Sequence, residues 1–532
     1  MLVKKTYHFN INSILYNPRN LRIILLLCLL LIDITLPFAG EEKRQDNSTV
    51  TVCMASDIIS LDPTDHRSRV TQIVLKNIFD SLTARDSRNN VIPQLAESWS
   101  LINDTEWEFR LKRGVKFHNG DELKASDAAF TFNRIIYGEP PGYIPTKRRA
   151  LYSAVTGIFV LDDYTLRIRT SYPWPGLPVM FSLQEIVPEK YMKEKGPAAF
   201  TRMPVGTGPF KYKSRTKGEK IVLERFDDYY GGSSERPPVQ AAPLKNLVFR
   251  IVTSYPDQVA MLKKRECNII TDVPGELLPV LKISGDIDIY NIPATRCYFA
   301  DVNCSRPFFK DVRCRKALNY AVDVEAIIKQ KFPGNGSILA TVFLPNTRGY
   351  NPDLKPYPYD PETARRLFKE SDFPMDYVIS IHAHRSVLLF ADGISMYLTK
   401  LGIKSRVKLV DGLRPDKTGN DASWDIFVGS WGNTTLDPMG IVVPKLCSGG
   451  SDNYSGFVSK ELDRLVNEAR HTMSDLQRKE YFYRIQQIIF NESPMIFGYA
   501  PDEFYAVTEN VRNFIPSITG MLEMHDVFSE EN

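Results

Sequence analysis

Cysteine is scarce here, seven in 532 residues, and no two of them stand in a Cys-x-x-Cys pair. That spacing excludes a zinc ribbon, a thioredoxin-type redox centre and a disulfide-dense scaffold. A charge surplus is missing too: 67 basic residues face 63 acidic ones, and four of the basic ones lie in the first forty residues against a single acid, Asp33. The remainder is close to neutral, so nothing argues for nucleic acid as a partner. After residue 40 no apolar run approaches the eighteen or so residues of a membrane span. Enzyme signatures are absent as well. There is no Gly-x-Ser-x-Gly, no His-Glu-x-x-His and no Gly-x-x-x-x-Gly-Lys-Ser/Thr. Gly206-Thr207-Gly208 runs into Pro209 and cannot open a helix as a dinucleotide loop does. The paired carboxylates Asp162-Asp163 and Asp227-Asp228 have no second group for acid–base work. No catalytic residue and no cofactor are expected.

The length allows two or three domains, and 43% hydrophobic with 24% charged residues is the composition of a soluble globular chain. At the N-terminus, basic residues precede the apolar run Ile23–Ile32, and Pro37-Phe38-Ala39-Gly40 offers small residues for cleavage. Residues 1–40 read as a signal peptide, with an uncleaved membrane anchor as the alternative. Export makes disulfides possible for the six cysteines that follow.

Local patterns then mark the elements. Thr49–Met54 reads as a first strand, and Val70 to Leu82 has helical apolar spacing. Glu106 to Leu111 alternates strictly as a half-buried strand does; Arg113–Gly120 reads as a second strand ending in an Asn-Gly turn. Ser126-Asp127 is positioned to cap a helix, as are Asp360 with Pro361 at the first helical position, and Ser459. Tyr377 to Ala383 predicts a strand carrying His382, followed by His384; two imidazoles without a third ligand in view do not make a metal site. Trp424–Pro438 combines a buried strand, Asp425–Val428, with turn residues Gly429, Gly432 and Asn433 and an Asp437-Pro438 stop. Such a strand delivers Trp431 and free polar groups to one edge of a sheet, where open α/β folds put ligands.

Several of these stretches stand in an order that resembles the family 5 extracellular solute-binding proteins, the group of dipeptide, oligopeptide and nickel receptors of bacterial ABC importers. The residues that carry the resemblance are Ala96-Glu97-Ser98-Trp99, Trp107 to Gly120, Lys124 to Asp127, Val205 to Phe210, Arg225 to Tyr230, Asp311 to Asp323, Tyr359 to Glu362 and Asn453 to Gly456. It spans roughly 49–525. It implies an α/β fold of two lobes with an extra domain inserted in lobe I, closing as a clamshell on a hinge. Lobe I is then expected over 41–82, 205–293 and 501–532, the insertion over 83–204 and lobe II over 294–500, with chain crossings at Pro293-Ala294 and around Gly498–Ala500. The expected role is capture of a short peptide or peptide-like solute by a monomer, and its delivery to an inner-membrane ABC permease. An opine-like or sugar-phosphate conjugate, a metal chelate or haem are the alternative ligands; a hydrolase, or a tethered adhesin of the same fold, are the alternative classes.

The resemblance also implies site residues. Trp431 would pack on ligand, with Gly432, Asn433 and Thr434 beside it. In the dipeptide-type pattern the third residue past the Trp is an Asp that binds the peptide ammonium group; here it is Thr434, which can accept a hydrogen bond and cannot neutralise a cation. Asp437 would then have to serve, or the ligand lacks that amine. Arg385 corresponds, across a small gap, to an arginine that pairs with the peptide carboxylate. Cys53 and Cys267 correspond to positions bridged in those relatives.

Overall fold

The computed structural model describes residues 48–86, 88–138, 146–232, 241–331, 336–412, 415, 423–433 and 435–530. The expected signal peptide lies outside them. The chain opens with strand β1 (Thr49–Met54) and helix α1 (Arg69–Leu75). A hairpin, β2 (Thr83–Arg85) and β3 (Val91–Pro93), leads to β4 (Ala96–Asn103), β5 (Glu106–Leu111), α2 (Ala125–Tyr137), β6 (Val155–Asp162) and β7 (Thr165–Thr170). Then come β8 (Phe210–Thr216), β9 (Lys220–Arg225), β10 (Asn246–Ile251), β11 (Ile269–Ile270) and β12 (Ile287–Ile292). The next group is β13 (Arg296–Val302), β14 (Gly336–Ile338), β15 (Ile379–Ala383), β16 (Ser405–Leu409) and β17 (Ile426–Gly432). Helices α3 (Met439–Leu446), α4 (Lys460–His471) and α5 (Asp475–Glu492) precede β18 (Met495–Pro501) and β19 (Glu503–Thr508).

These strands form three main sheets. One has seven strands in the order β12-β19-β11-β1-β10-β9-β8, a second has six in the order β14-β18-β13-β17-β15-β16, and a third is the antiparallel β4-β5-β7-β6. Each has its own apolar core: Val50, Val52, Leu247 and Phe249 in the first, Ala300, Ile381, Ile426 and Val428 in the second, Trp107, Phe109, Leu166 and Ile168 in the third. Separate cores on separate sheets are what makes two lobes able to move as bodies. The chain passes between the first two sheets at 293–295, from β12 to β13, and at Asp502, from β18 to β19. The stretch Gly498–Ala500, expected as a crossing, lies inside β18. Asn291 Nδ2 donates to Asp502 Oδ2 at 2.9 Å, tying the two crossing strands together.

Local expectations fared unevenly. Asp360 and Ser459 do cap their helices, accepting from Thr363 N and Leu462 N. The second helix instead starts at Ala125, with Lys124 as N-cap; Asp127 reaches back to the Lys124 amide at 2.8 Å. Helix α1 stops at Leu75 although the apolar spacing runs on to Leu82. The cause is tertiary: Gly208 N takes the Ile78 carbonyl at 2.9 Å and Phe210 N the Asn77 carbonyl at 3.0 Å, so these acceptors leave the helix. A Cβ on Gly206 would stand 2.1 Å from Ile78 O, which is why the approach needs glycine there. Arg113–His118 is no strand. Both edges of β5 are already paired, with β4 and β7, and only the isolated bridge Lys116↔Glu122 remains, closed by the Asn119-Gly120 turn. Strand β17 runs past its predicted end through Trp431 and Gly432, because β13 pairs with it as far as Arg296↔Gly432.

The bridge expected between Cys53 and Cys267 is not formed. All six described cysteines are free. The two are nonetheless buried neighbours, the thiols within hydrogen-bond reach, which pushes Cys267 well up.

Candidate functional site

Strand β17 lies between β13 and β15, so its edge residues are presented in fixed register: Arg296 opposite Gly432, Cys297 opposite Trp431, Tyr298 opposite Ser430. The Trp431 indole N–H donates to Gly440 O on α3 at 3.0 Å, which fixes the ring while leaving it half-buried. In front of it opens a cavity of about 370 Å3. Arg67, from the β1–α1 connection of the first lobe, lines it on one side; Arg296, Phe299, Ser430, Trp431, Gly432 and Lys445 of the second lobe line the other. A cavity walled from both lobes is where closure can grip a solute.

Its charges are unequally satisfied. Lys445 Nζ meets Asp301 Oδ2 at 2.6 Å with both side chains buried, and it lies over the rings of Phe299 and Tyr454 at 5.1 and 5.6 Å. Burial pushes Asp301 up even with this partner. Asp452 accepts from Ser451 at 2.7 Å and from Tyr454 at 3.5 Å. Arg296 is exposed to the cavity; Nη1 donates to Ser430 Oγ at 3.0 Å, and among the described residues no carboxylate pairs with it.

The expected site residues are only partly brought together. Trp431 and Gly432 line the cavity. Asn433 is buried and committed to its own loop: its amide donates to Asp437 O at 2.8 Å and its oxygen accepts from Thr435 at 2.7 Å. Thr434 lies outside the described residues. Asp437 is not in the lining; its carboxylate accepts from Met439 N at 2.9 Å and from Arg478 Nη2 at 3.3 Å. Its carboxylate is therefore engaged within the second lobe. Arg385 is exposed on a short 3-10 turn, Arg385–Val387, and is not in the lining; Val387 of the same turn is. His382 is buried, and His384 caps that turn by accepting from Ser386 N. Among the described residues no three His, Cys, Asp or Glu side chains are grouped as a metal site.

Sequence reasoning missed Arg67, Arg296, Lys445 and Asp301. Arg296 had a signal, a lone arginine opening an apolar strand just past a crossing, and Asp301 another, an acid inside that strand. Two contacts also join residues near β2 and β7 to the loop after β17 and to α4. Arg85 Nη1 donates to Thr435 O at 3.2 Å, and the Tyr172 hydroxyl accepts from Arg470, whose guanidinium lies 4.3 Å over the ring.

Two lobes linked by paired crossing strands, with a cavity walled from both, define a two-lobed solute-binding protein. The chain belongs to the bacterial extracellular solute-binding proteins, family 5: the family model described as "family 5 Middle" matches residues 90–453. Proteins of this family are receptors of ABC importers rather than enzymes. The glutathione-binding protein GsiB of Escherichia coli K12 is 25% identical, over 84% of this chain and 88% of its own. The dipeptide-binding protein of the same organism is 25% identical over 83% and 86%. Among solved structures, HbpA2 from Haemophilus parasuis superposes with a TM-score of 0.82 at 20% identity, covering 91% of this chain and 100% of that one. Among the described residues no helix is long and apolar enough to cross a membrane.

Proposed function

We propose that this receptor captures a short peptide or peptide-like solute carrying an acidic group and hands it, as a monomer in the periplasm, to an inner-membrane permease. The observation that carries the reading is the charge balance of the interlobe cavity: Arg67, Arg296 and Lys445 line it against Asp301 and Asp452, Lys445 is held by Asp301, and Arg296 has no described carboxylate at ion-pair distance. A guanidinium in a cavity that closes calls for an anion, and its fork suits a carboxylate. Trp431 offers a flat apolar wall, and main-chain groups of the β17 edge offer hydrogen bonds that do not depend on ligand side chains. Peptide capture also agrees with the names of the two curated relatives, one for glutathione and one for dipeptides.

In this reading the lobes comprise 41–82, 205–293 and 501–532 against 294–500, with 83–204 inserted and 1–40 removed on export. Ligand contact with both lobes shifts the population toward the closed form. With Asp437 held by Arg478, no described carboxylate is left for a ligand ammonium at that end. The same fact favours, as a second reading, an acidic conjugate with no free amine, such as an opine-like compound. Calorimetry with a panel of dipeptides and glutathione, each against its carboxylate ester, tests the proposal. The best binder should lose about tenfold or more on esterification, the worth of a charged hydrogen bond. Equal affinity for acid and ester, or no binding by any member, would rule the reading out.

Oxidation belongs to the same picture. Cys53 and Cys267 are free thiols in the structure but buried neighbours, and oxidation after export should join them, closing a loop long enough to stabilise by about 4–5 kcal/mol in the chain-entropy model. Non-reducing peptide mapping of exported protein should recover the two as one linked species; alkylation of both as free thiols would contradict it.

A further inference from the structure

A second cavity, of about 280 Å3, lies away from β17, in the first lobe and its insertion. It is bounded by the end of α1, strand β2, the 229–232 turn and the C-terminal segment 515–525, and its charged or polar lining includes Lys76, Asp80, Arg85, Tyr229, Glu523 and His525. Most of these have structural employment. Lys76 donates to Ser81 Oγ and Ser182 O, both at 2.7 Å, and has Glu185 at 3.7 Å. Asp86, on the rim, holds its own turn through Arg88 N, Asn90 N and the Asn90 amide. His525 packs its ring edge-on against Tyr229 and has Asp526 at 3.0 Å.

Two groups are left over, one of each sign. Arg85 donates to two neutral acceptors, Asn89 Oδ1 at 3.0 Å and Thr435 O at 3.2 Å, and among the described residues no carboxylate stands at ion-pair distance. Burial pushes this guanidinium down to about 10, and the one acid that acts on it, Glu523, does so from longer range. Arginine does not give up its proton at physiological pH, so the strain stands as a demand for a counter-anion. Asp80 is 1% exposed; Oδ1 accepts from Gln94 at 2.8 Å and from Tyr229 at 3.4 Å, whereas Oδ2 has no hydrogen-bond partner. The buried Tyr230 hydroxyl faces Asp80 as a hydrogen-bonding neighbour and falls just short of standard geometry, so a small turn of that ring is the competing way to satisfy Oδ2.

We propose that this cavity is a second solute site, separate from the interlobe cleft, for a zwitterionic α-amino acid, its carboxylate on Arg85 and its ammonium group on Asp80. At about 280 Å3 the space lies just under the usual range of small-ligand pockets and has room for one amino acid of moderate bulk. A lone anion would answer Arg85 and face Asp80 and Glu523 unpaired; a lone cation would do the reverse. Because Arg85 also holds Thr435, beside the loop that flanks Trp431, an occupant of this cavity bears on the position of that loop.

Calorimetry on the full exported protein tests this with L-valine as probe, against isovalerate and isobutylamine, which each keep one of its charged ends. L-Valine should bind saturably, and each half-ligand about tenfold or more weakly. R85Q should lose the L-valine signal with an unchanged melting temperature, W431A should keep it, and Y230F should keep it because the ammonium group, not the Tyr230 hydroxyl, then answers Oδ2. Should R85Q fail to fold, D80N takes its place with the same expected loss. Isovalerate binding as tightly as L-valine, binding lost in W431A yet kept in R85Q or D80N, binding lost in Y230F, or no heat with L-valine at all would each overturn the proposal.

Discussion

Arg296→Ala should weaken ligand binding by about ten- to a hundredfold, the equivalent of about 1.5–3 kcal/mol for a charged hydrogen bond lost in a closed site. The melting temperature should hardly move, since the guanidinium is exposed and its only described bond is to Ser430. Arg296→Lys separates fork from charge: a lysine keeps the sign and loses the bidentate geometry, so it should recover part of the affinity and no more. Calorimetry and thermal unfolding on the same preparations check both halves. An Arg296→Ala protein with wild-type affinity would place the anion elsewhere, and Arg385, exposed on its turn, would be the next residue to remove.

Lys445→Met carries the largest expected cost in stability. It leaves Asp301 buried with no cation, and breaking such a pair typically costs about 3–5 kcal/mol. The loss should depend on pH. Burial already holds Asp301 above the ordinary carboxylate range, and without Lys445 it rises further. A carboxylate raised in the folded state favours folding while protonated, and that advantage is lost as pH rises through its folded value. The deficit of the variant should therefore shrink as pH is lowered from 7 towards 4. Asp301→Asn combined with Lys445→Met should regain much of the stability, because a neutral pair carries no unmatched charge. Urea denaturation at the two pH values measures this; a pH-independent deficit would mean that the loss is one of packing over Phe299 and Tyr454.

What could be read from the sequence was local. The alternation of Glu106–Leu111 gave β5 because both its faces are decided by its own residues, and the caps at Asp360 and Ser459 sit beside the amides they satisfy. The resemblance supplied the lobes, which no periodicity reveals. Misreadings arose where a distant segment competes for the backbone. Past Leu75 the carbonyls of Asn77 and Ile78 go to residues 210 and 208 instead of extending α1, and 113–118 finds both edges of β5 taken. The cavity had the same limit. Trp431 was legible as a large aromatic at a strand end, but Arg67 and Arg296 line one cavity from positions 229 residues apart, and nothing local marks them as facing one space. Nor could the sequence tell that Asp437 is held by Arg478, a residue of another helix.

The most direct test is mass spectrometry of the protein purified from its periplasm without unfolding, for wild type and Trp431→Ala side by side. Release on denaturation of one small acidic solute per wild-type chain, with the variant largely empty, is the predicted result. The same solute at the same occupancy in both would contradict a cleft in which two lobes grip their ligand against this ring.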